Sequence, residues 1–331
     1  MCRCLEVAEK RRPLVIASPP IARDGTIDVT LTATLAHDSS IGRVRIVDCR
    51  PEHRCCSPVE QATASTLVLP LRGVFVKHIG SQTQLVADVC HGIFFNAAEP
   101  YRVSHPVDGG DQCLTIEPAD DLLREVIAAH RKTASERHEP CFGSTHAPLS
   151  AELIIARKSL RYRLAHRLAG RLEADETALQ LLVGTLRAAH ADRLAVPHER
   201  ARTRSRHQEI VEATKIALVA EPAQDWTLGA LAKRVYSSPF HLARMFRRYA
   251  GMSLHRYRML ARMAAALDEV LDTAREFATV GVDLGFSSHS HFTAEFRKTF
   301  GVTPSMLRRS ANQRDANEMR RILTATHASL S

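Results

Sequence analysis

Short runs of alternating hydrophobic and polar residues fill the first third of the chain, and at Asp120 the pattern changes from a strand-like to a helix-like period. The segments "TIDVTLTATL", "GRVRIVDC", "STLVLPLRGVFVKHIG", "QTQLVADVC" and "GIFFN" are rich in β-branched residues and punctuated by Gly, Pro and Asp. Each is predicted to be a strand. "VDGGDQCLTIEP" adds a Gly-Gly turn and one more strand. Strands this short, at near-regular spacing, favour a barrel or jelly roll over an open sheet.

Beyond Asp120 the apolar positions gather on helix faces. "ADDLLREVIAAHR" opens with acidic residues and sets Leu122, Leu123, Val126 and Ile127 on one side. "TASERHEPCFGSTHAPLS" is a linker by composition. Two further helices carry Leu153, Leu160, Leu164 and Leu168, then Leu179, Leu182, Val183 and Leu186. That stripe has two readings, a dimer seam or a face packed onto the β unit. "PHERARTRSR" at 197–206 is a basic, proline-containing second linker.

The last third contains an internal duplication. His241, Phe246, Arg247, Arg248 and Gly251 recur fifty positions later as His291, Phe296, Arg297, Lys298 and Gly301. Each copy reads as a short helix, a tight turn and a second helix. In the first, Thr227 caps a helix buried by Leu228, Leu231, Ala232 and Val235. Ser238 then caps a second helix with Pro239 at its first position, and Gly251 ends it. The second copy repeats this with Phe277, Val280 and Gly281, a cap at Ser287 or Ser288, and Gly301. Between the copies, 253–273 has no Gly or Pro and is predicted to be one helix of about twenty residues, about 30 Å long.

This is helix-turn-helix grammar, in which the second helix enters the major groove by slim, polar N-terminal residues. Ser287 to His291 form such a tip, Phe292 and Phe296 the buried side, and Arg297 and Lys298 candidate phosphate contacts. A connector of about 30 Å against a DNA turn of about 34 Å suits two reading helices on one face of the duplex.

On "SPFHLARMFRRYAGMSLHRYRMLARMAAAL" and "GFSSHSHFTAEFRKTFGVTPSMLRR", residues 207–309 resemble the DNA-binding domain of AraC/XylS-type transcriptional regulators. Family features fall on Leu231, Ala232, Ser238, Leu242, Arg244, Phe246, Gly251, Tyr257, Arg262, Ala266, Gly285, Phe286, Ser288, Phe292, Phe296, Gly301, Thr303 and Pro304. Gly281 stands where the family prefers Ala, and Leu307 where it usually has an aromatic residue. The resemblance places Phe240, His241 and Arg244 at the first reading helix and His289, Ser290 and Thr293 at the second. With Ser238, Arg247, Arg248, Ser288, Arg297 and Lys298 these make the expected DNA-binding set. Arg244 is the leading guanine reader, since a guanidinium bonds O6 and N7 together, and Phe240 suits a thymine methyl.

In many such relatives a cupin-type β-barrel precedes this domain and binds a small effector or serves dimerisation. Here 91–111 is similar to the second half of such a barrel. The expected fold is therefore multidomain α+β: a cupin-like or jelly-roll-like β-barrel sensing domain at 1–118, and a helical linker or dimerisation segment at 119–199. An all-α double helix-turn-helix domain at 207–310 and a tail at 311–331 complete it.

Charge sharpens the partner. The net charge of +9 lies wholly in the last third, where residues 200–331 hold 21 Lys+Arg against 12 Asp+Glu. A basic excess confined to one end points to a polyanion, nucleic acid before membrane. Double-stranded promoter DNA, RNA polymerase, an unidentified small-molecule effector and a second copy of the chain are the expected partners. No enzymatic activity, cofactor or membrane association is expected. The only apolar run near the start, Leu14 to Ala17, is too short for a signal or a span, so a cytoplasmic location is expected.

Eight cysteines form no C-x-x-C pair. The nearest approach to a cupin metal set is His53, Cys55 and Glu60 with His105. His53, Cys55, Cys56 and His105 are the metal candidates, and the adjacent thiols Cys55 and Cys56 the candidates for a redox sensor. The alternative function is a DNA-repair enzyme, or a metal or thiol sensor, using these cysteines beside the same DNA-binding module.

Overall fold

The computed structural model describes residues 29–51, 56–80, 83–130, 141–195 and 201–311. Two antiparallel sheets form the N-terminal part. The larger contains β1 (Val29–Ser39), β2 (Gly42–Pro51), β4 (Thr66–Gly73), β7 (His91–Phe95), β9 (Asp111–Pro118) and β10 (His146–Pro148), in the order β1-β2-β9-β4-β7-β10. The smaller contains β3 (Glu60–Gln61), β5 (Phe75–Ile79), β6 (Thr83–Ala87) and β8 (Pro100–Ser104), in the order β3-β8-β5-β6. Phe75, Leu85 and Ala87 of the small sheet pack with Ile93, Phe95 and Cys113 of the large one, so the sheets lie face to face.

The single strand predicted over 65–80 is two strands in different sheets. Gly73 has φ +75°, and a Cβ there would lie 2.1 Å from the Gly110 carbonyl oxygen. Only glycine tolerates both the left-handed backbone and that approach. The chain breaks there and crosses to the other sheet. Inside the predicted linker at 133–150, β10 pairs with β7, with Ala147 fully buried. Three residues are too few to show a period.

Among the described residues ten helices follow or interleave: α1 (Asp120–His130), α2 (Ala151–Ala165), α3 (Arg171–Ala195), α4 (Ala201–Ala220), α5 (Leu228–Arg234), α6 (Pro239–Tyr249), α7 (Leu254–Asp272), α8 (Phe277–Asp283), α9 (His289–Phe300) and α10 (Pro304–Ala311). The second predicted linker is in part helix, since α4 begins at Ala201.

Helix α2 is wedged between the sheets and the C-terminal helices and is buried on every side. Leu153 and Leu160 are buried within the chain, and Leu164 and Leu168 pack against the same core, as the packing reading of that stripe requires. Its basic side chains end on partners on both sides. The Lys158 ammonium donates to the Leu71 carbonyl of β4 and pairs with Asp268 of α7, while Arg157 Nη2 donates to the Val89 carbonyl at 2.5 Å. Helix α4 reaches the small sheet, where the Glu212 carboxylate accepts from the Val86 N–H at 2.7 Å. One continuous hydrophobic core therefore runs from the large sheet through α2 and α3 into α5 to α10.

Candidate nucleic-acid interface and the sheet cavity

The two repeats fold as the sequence grammar requires. Thr227, Ser238 and Ser253 cap α5, α6 and α7 through hydroxyls that accept from Ala230, His241 and Arg256 N–H at 3.1 to 3.2 Å. Ser288, rather than Ser287, caps α9 by accepting from His291 N–H at 3.1 Å. Each such cap satisfies an otherwise unpaired helix-end N–H and contributes about 1 kcal/mol. Gly251 and Gly301 take positive φ at the helix exits.

Behind each second helix the apolar side is sealed. Leu242, Met245 and Phe246 are buried on α6, and Phe292, Phe296 and Phe300 on α9. Helix α7 runs between the copies for 19 residues as one uninterrupted element. Arg262 on α7 ties them together. Its guanidinium donates to the carbonyls of Pro222 at 2.6 Å and Ala223 at 3.2 Å ahead of α5, and sits over the Phe286 ring in the turn before α9. Arg308 of α10 is likewise structural, donating to the Val270 and Glu269 carbonyls at 2.9 and 3.2 Å over the Phe277 ring.

Apart from Phe240, the expected contact residues left facing solvent are polar or basic. On α6, Ser238, Phe240, Arg244 and Arg247 are exposed, and Arg248 is half-buried. Phe240 is 77% exposed, far beyond what a structural phenylalanine needs. On α9, His289, Ser290, Arg297 and Lys298 are exposed, and Ser288 stands at the tip. His289, Ser290, Thr293, Arg297 and Lys298 line one shallow concave surface together with Ala294, Gly301 and Thr303.

His241, like Arg248 and Thr293 of the expected set, is not fully exposed. It is half-buried, and its ring lies 5.1 Å from the ring of His207 on α4. Burial, His207, Arg244 and Arg206 hold its pKa below the ordinary histidine value, so it stays neutral at physiological pH. Arg206 of α4 places a further guanidinium beside α6. Sequence reasoning missed that contribution because 197–206 carries linker composition.

Leu228, expected to bury α5, is 41% exposed. Gly281 has its own explanation: a Cβ there would meet Phe292 Cβ at 3.0 Å. The glycine lets α8 approach α9 closely at a buried phenylalanine.

The N-terminal sheets enclose a cavity of about 500 Å³ between them. Its walls are mostly apolar, including Val47, Val68, Phe75, Phe95 and Val103, and its polar end holds Cys49, Glu60, His105, Asp111 and Cys113. His105 Nε2 lies 2.7 Å from Asp111 Oδ1, and the Cys113 thiol donates to Asp111 Oδ2 at 3.0 Å. Of the metal candidates read from the sequence, His53 and Cys55 lie outside the described residues. His105 stands with Cys49 and Asp111 rather than with the buried Cys56. Burial, Asp111 and Glu60 push the Cys49 thiol up to about 12, and burial likewise raises Cys90 and Cys113. Those three thiols are protonated at neutral pH, the reverse of what a reactive sensor thiol needs.

A helix-turn-helix domain family matches residues 231–310. The regulatory protein PocR of Salmonella typhimurium is 31% identical over 94 residues, 28% of this chain and 31% of PocR. The regulatory protein SoxS of Salmonella typhimurium is 33% identical over 100 residues, 30% of this chain and 92% of SoxS. An AraC-type DNA-binding-domain regulator of Chromobacterium violaceum, known as a crystal structure, is 25% identical over 34% of this chain and 98% of its own, with a TM-score of 0.30. The matched stretch spans only 31% to 41% of the length of several curated relatives. Among the described residues no helix is long and apolar enough to cross a membrane. The duplicated, capped helix pairs at 227–301 and the near full-length match to SoxS place the chain in the AraC/XylS family.

Proposed function

We propose that the protein is a sequence-specific transcriptional regulator that lays α6 and α9 into neighbouring major-groove segments of promoter DNA and answers to a small effector in the sheet cavity. The observation that carries the DNA reading is the pair of capped helices with exposed polar starts on either side of one uninterrupted α7. Arg244 reads guanine, Phe240 packs on a thymine methyl, and His289, Ser290 and Thr293 read the second segment. Ser238 and Ser288 fix the helix tips, while Arg247, Arg248, Arg297 and Lys298 hold phosphates. His241 contributes from a half-buried position, as a neutral ring.

The cavity supports effector control because it is large enough for a small organic molecule and mixes apolar walls with one polar end. The core that runs from the sheets through α2 to α7 supplies a rigid route from that cavity to the reading helices. Homodimer formation and contact with RNA polymerase complete the proposal. The repair-enzyme alternative lacks support among the described residues, where the cysteines do not assemble into a four-thiolate site.

Fluorescence anisotropy on DNA from upstream of the protein's own coding sequence, across a salt series, tests this reading. Phosphate contacts predict that log K falls by about 0.9 per neutralised phosphate for each unit of log salt. A salt-independent affinity would remove the groove-binding model.

A further inference from the structure

The polar end of the cavity holds three metal-ligating side chains of different chemistry that the strand register brings together. Cys49 on β2 and Asp111 on β9 are directly opposed partners in the antiparallel ladder, so their side chains share the inner face. Cys113, two residues on, points the same way. Gly110, at φ +69°, holds Asp111 tight against β2, since a Cβ there would lie 1.9 Å from the Cys49 carbonyl oxygen. His105 follows β8 and reaches across from the opposite sheet. One ligand atom from each of Cys49, His105 and Asp111 lies within 4.8 Å of the others, and all three residues are buried.

We propose that Cys49 Sγ, His105 Nε2 and an Asp111 oxygen form a site for a thiophilic divalent cation of the zinc class, with a fourth position open to the cavity. Bond lengths of about 2.0 to 2.3 Å to N, O and S place tetrahedral ligands about 3.3 to 3.8 Å apart. The 2.7 Å contact between His105 and Asp111 therefore opens by about half an ångström on binding, which a side-chain rotation supplies. A sulfur, an imidazole and a carboxylate favour zinc, cobalt or copper, and exclude calcium and magnesium, which take oxygen ligands. Binding releases the Cys49 thiol proton to solvent, so affinity rises with pH. The ion would clamp β2 and β9 to the chain leaving β8, joining the two sheets at the polar end of the cavity.

The binding itself stands on this geometry alone. Its regulatory consequence rests on the effector reading of the cavity.

Cobalt titration of the chelator-stripped, reduced full-length protein tests the site. The expected result is one cobalt per chain with a thiolate-to-metal charge-transfer band, displaced by zinc. Cys49→Ser should abolish the band and His105→Gln should weaken binding, since each removes one of the three protein ligands, both with unchanged far-ultraviolet circular dichroism, while Cys56→Ser leaves the band intact. Absence of the band from the wild-type protein overturns the proposal without recourse to any variant. So does its persistence in Cys49→Ser. DNA affinity is then measured with and without zinc. A change makes the metal an effector, whereas a loaded site with unaltered affinity upholds the site and removes control of DNA binding by the metal.

Discussion

The Tyr257 hydroxyl donates a 2.7 Å hydrogen bond to Asp88 Oδ2, joining α7 to the turn between β6 and β7 across 169 positions of sequence. Both residues are fully buried. The same carboxylate accepts from the Cys90 N–H at 2.7 Å and lies 3.0 Å from His91 Nδ1. A charge this deep is tolerated because the Cys90 N–H and the Tyr257 hydroxyl donate to it and Lys215 lies near. Burial alone would raise the Asp88 carboxyl, but His91, Lys215 and the Tyr257 hydroxyl outweigh it and hold it below the usual carboxylate range.

Tyr257→Phe deletes one donor to a buried carboxylate and is expected to cost about 1.5 to 3 kcal/mol. Denaturant unfolding followed at Trp226, the single tryptophan, reads it directly. Because the folded-state pKa of Asp88 is depressed, its contribution is complete above the unfolded value of about 3.9 and lost only as pH falls through the lower folded value. The penalty of Asp88→Asn should accordingly stay constant from pH 8 to about pH 5. A penalty that disappears by pH 5 would show that Asp88 is not held ionised.

His78 gives the opposite pH signature. It is buried in β5 with Nε2 2.7 Å from the Ser104 hydroxyl, and burial and Arg102 lower its pKa to about 4. The unfolded chain binds a proton near pH 6.5 that the folded one refuses, so stability falls as pH drops from about 6.5 towards 4. Roughly 3 to 4 kcal/mol is at stake at about 1.4 kcal/mol per unit. His78→Gln should flatten the stability profile in that window, and an unchanged slope would assign it to other groups.

Gly281→Ala sets helix propensity against packing. Alanine favours the helix by about 1 kcal/mol, yet its Cβ meets the fully buried Phe292 Cβ at 3.0 Å, an atom fixed by its own backbone. Destabilisation is expected, measured as a lower melting temperature. A higher one would mean that α8 and α9 separate at little expense.

Caps, repeats and periods are local, and those parts of the fold were legible in the sequence. Thr227, Ser238, Gly251 and Gly301 stand where the grammar set them, as does an α7 without interruption. Long-range features were not. The break at Gly73 depends on a contact with Gly110, and β10 on a partner strand fifty residues earlier. The helical start of α4 is hidden by basic residues and a nearby proline. Cys49 and Asp111 become neighbours only through the β2–β9 register, so the sequence pointed to Cys55 and Cys56 by adjacency instead. Leu228 is exposed because α5 is a surface helix whose first turn reaches past the core.

Arg297 and Lys298 offer a test separate from base readout. Both are exposed at the last turn of α9, and Lys298 lies 3.2 Å from Glu295, an exposed pair of small energetic weight. Arg297→Ala should weaken binding about equally on all sequences and reduce the salt slope by ~1. A change confined to one base position would make Arg297 a reader.

Binding-site selection from random DNA, with the wild-type protein, Arg244→Ala and Ser290→Ala compared base by base, tests the central claim most directly. Two short blocks of preference about 10 base pairs apart are expected. Arg244→Ala should relax a guanine in one block at a cost of ~1 to 3 kcal/mol, and Ser290→Ala should alter only the other. A single block, or both substitutions acting on the same bases, would contradict a protein that reads DNA with two helices at once.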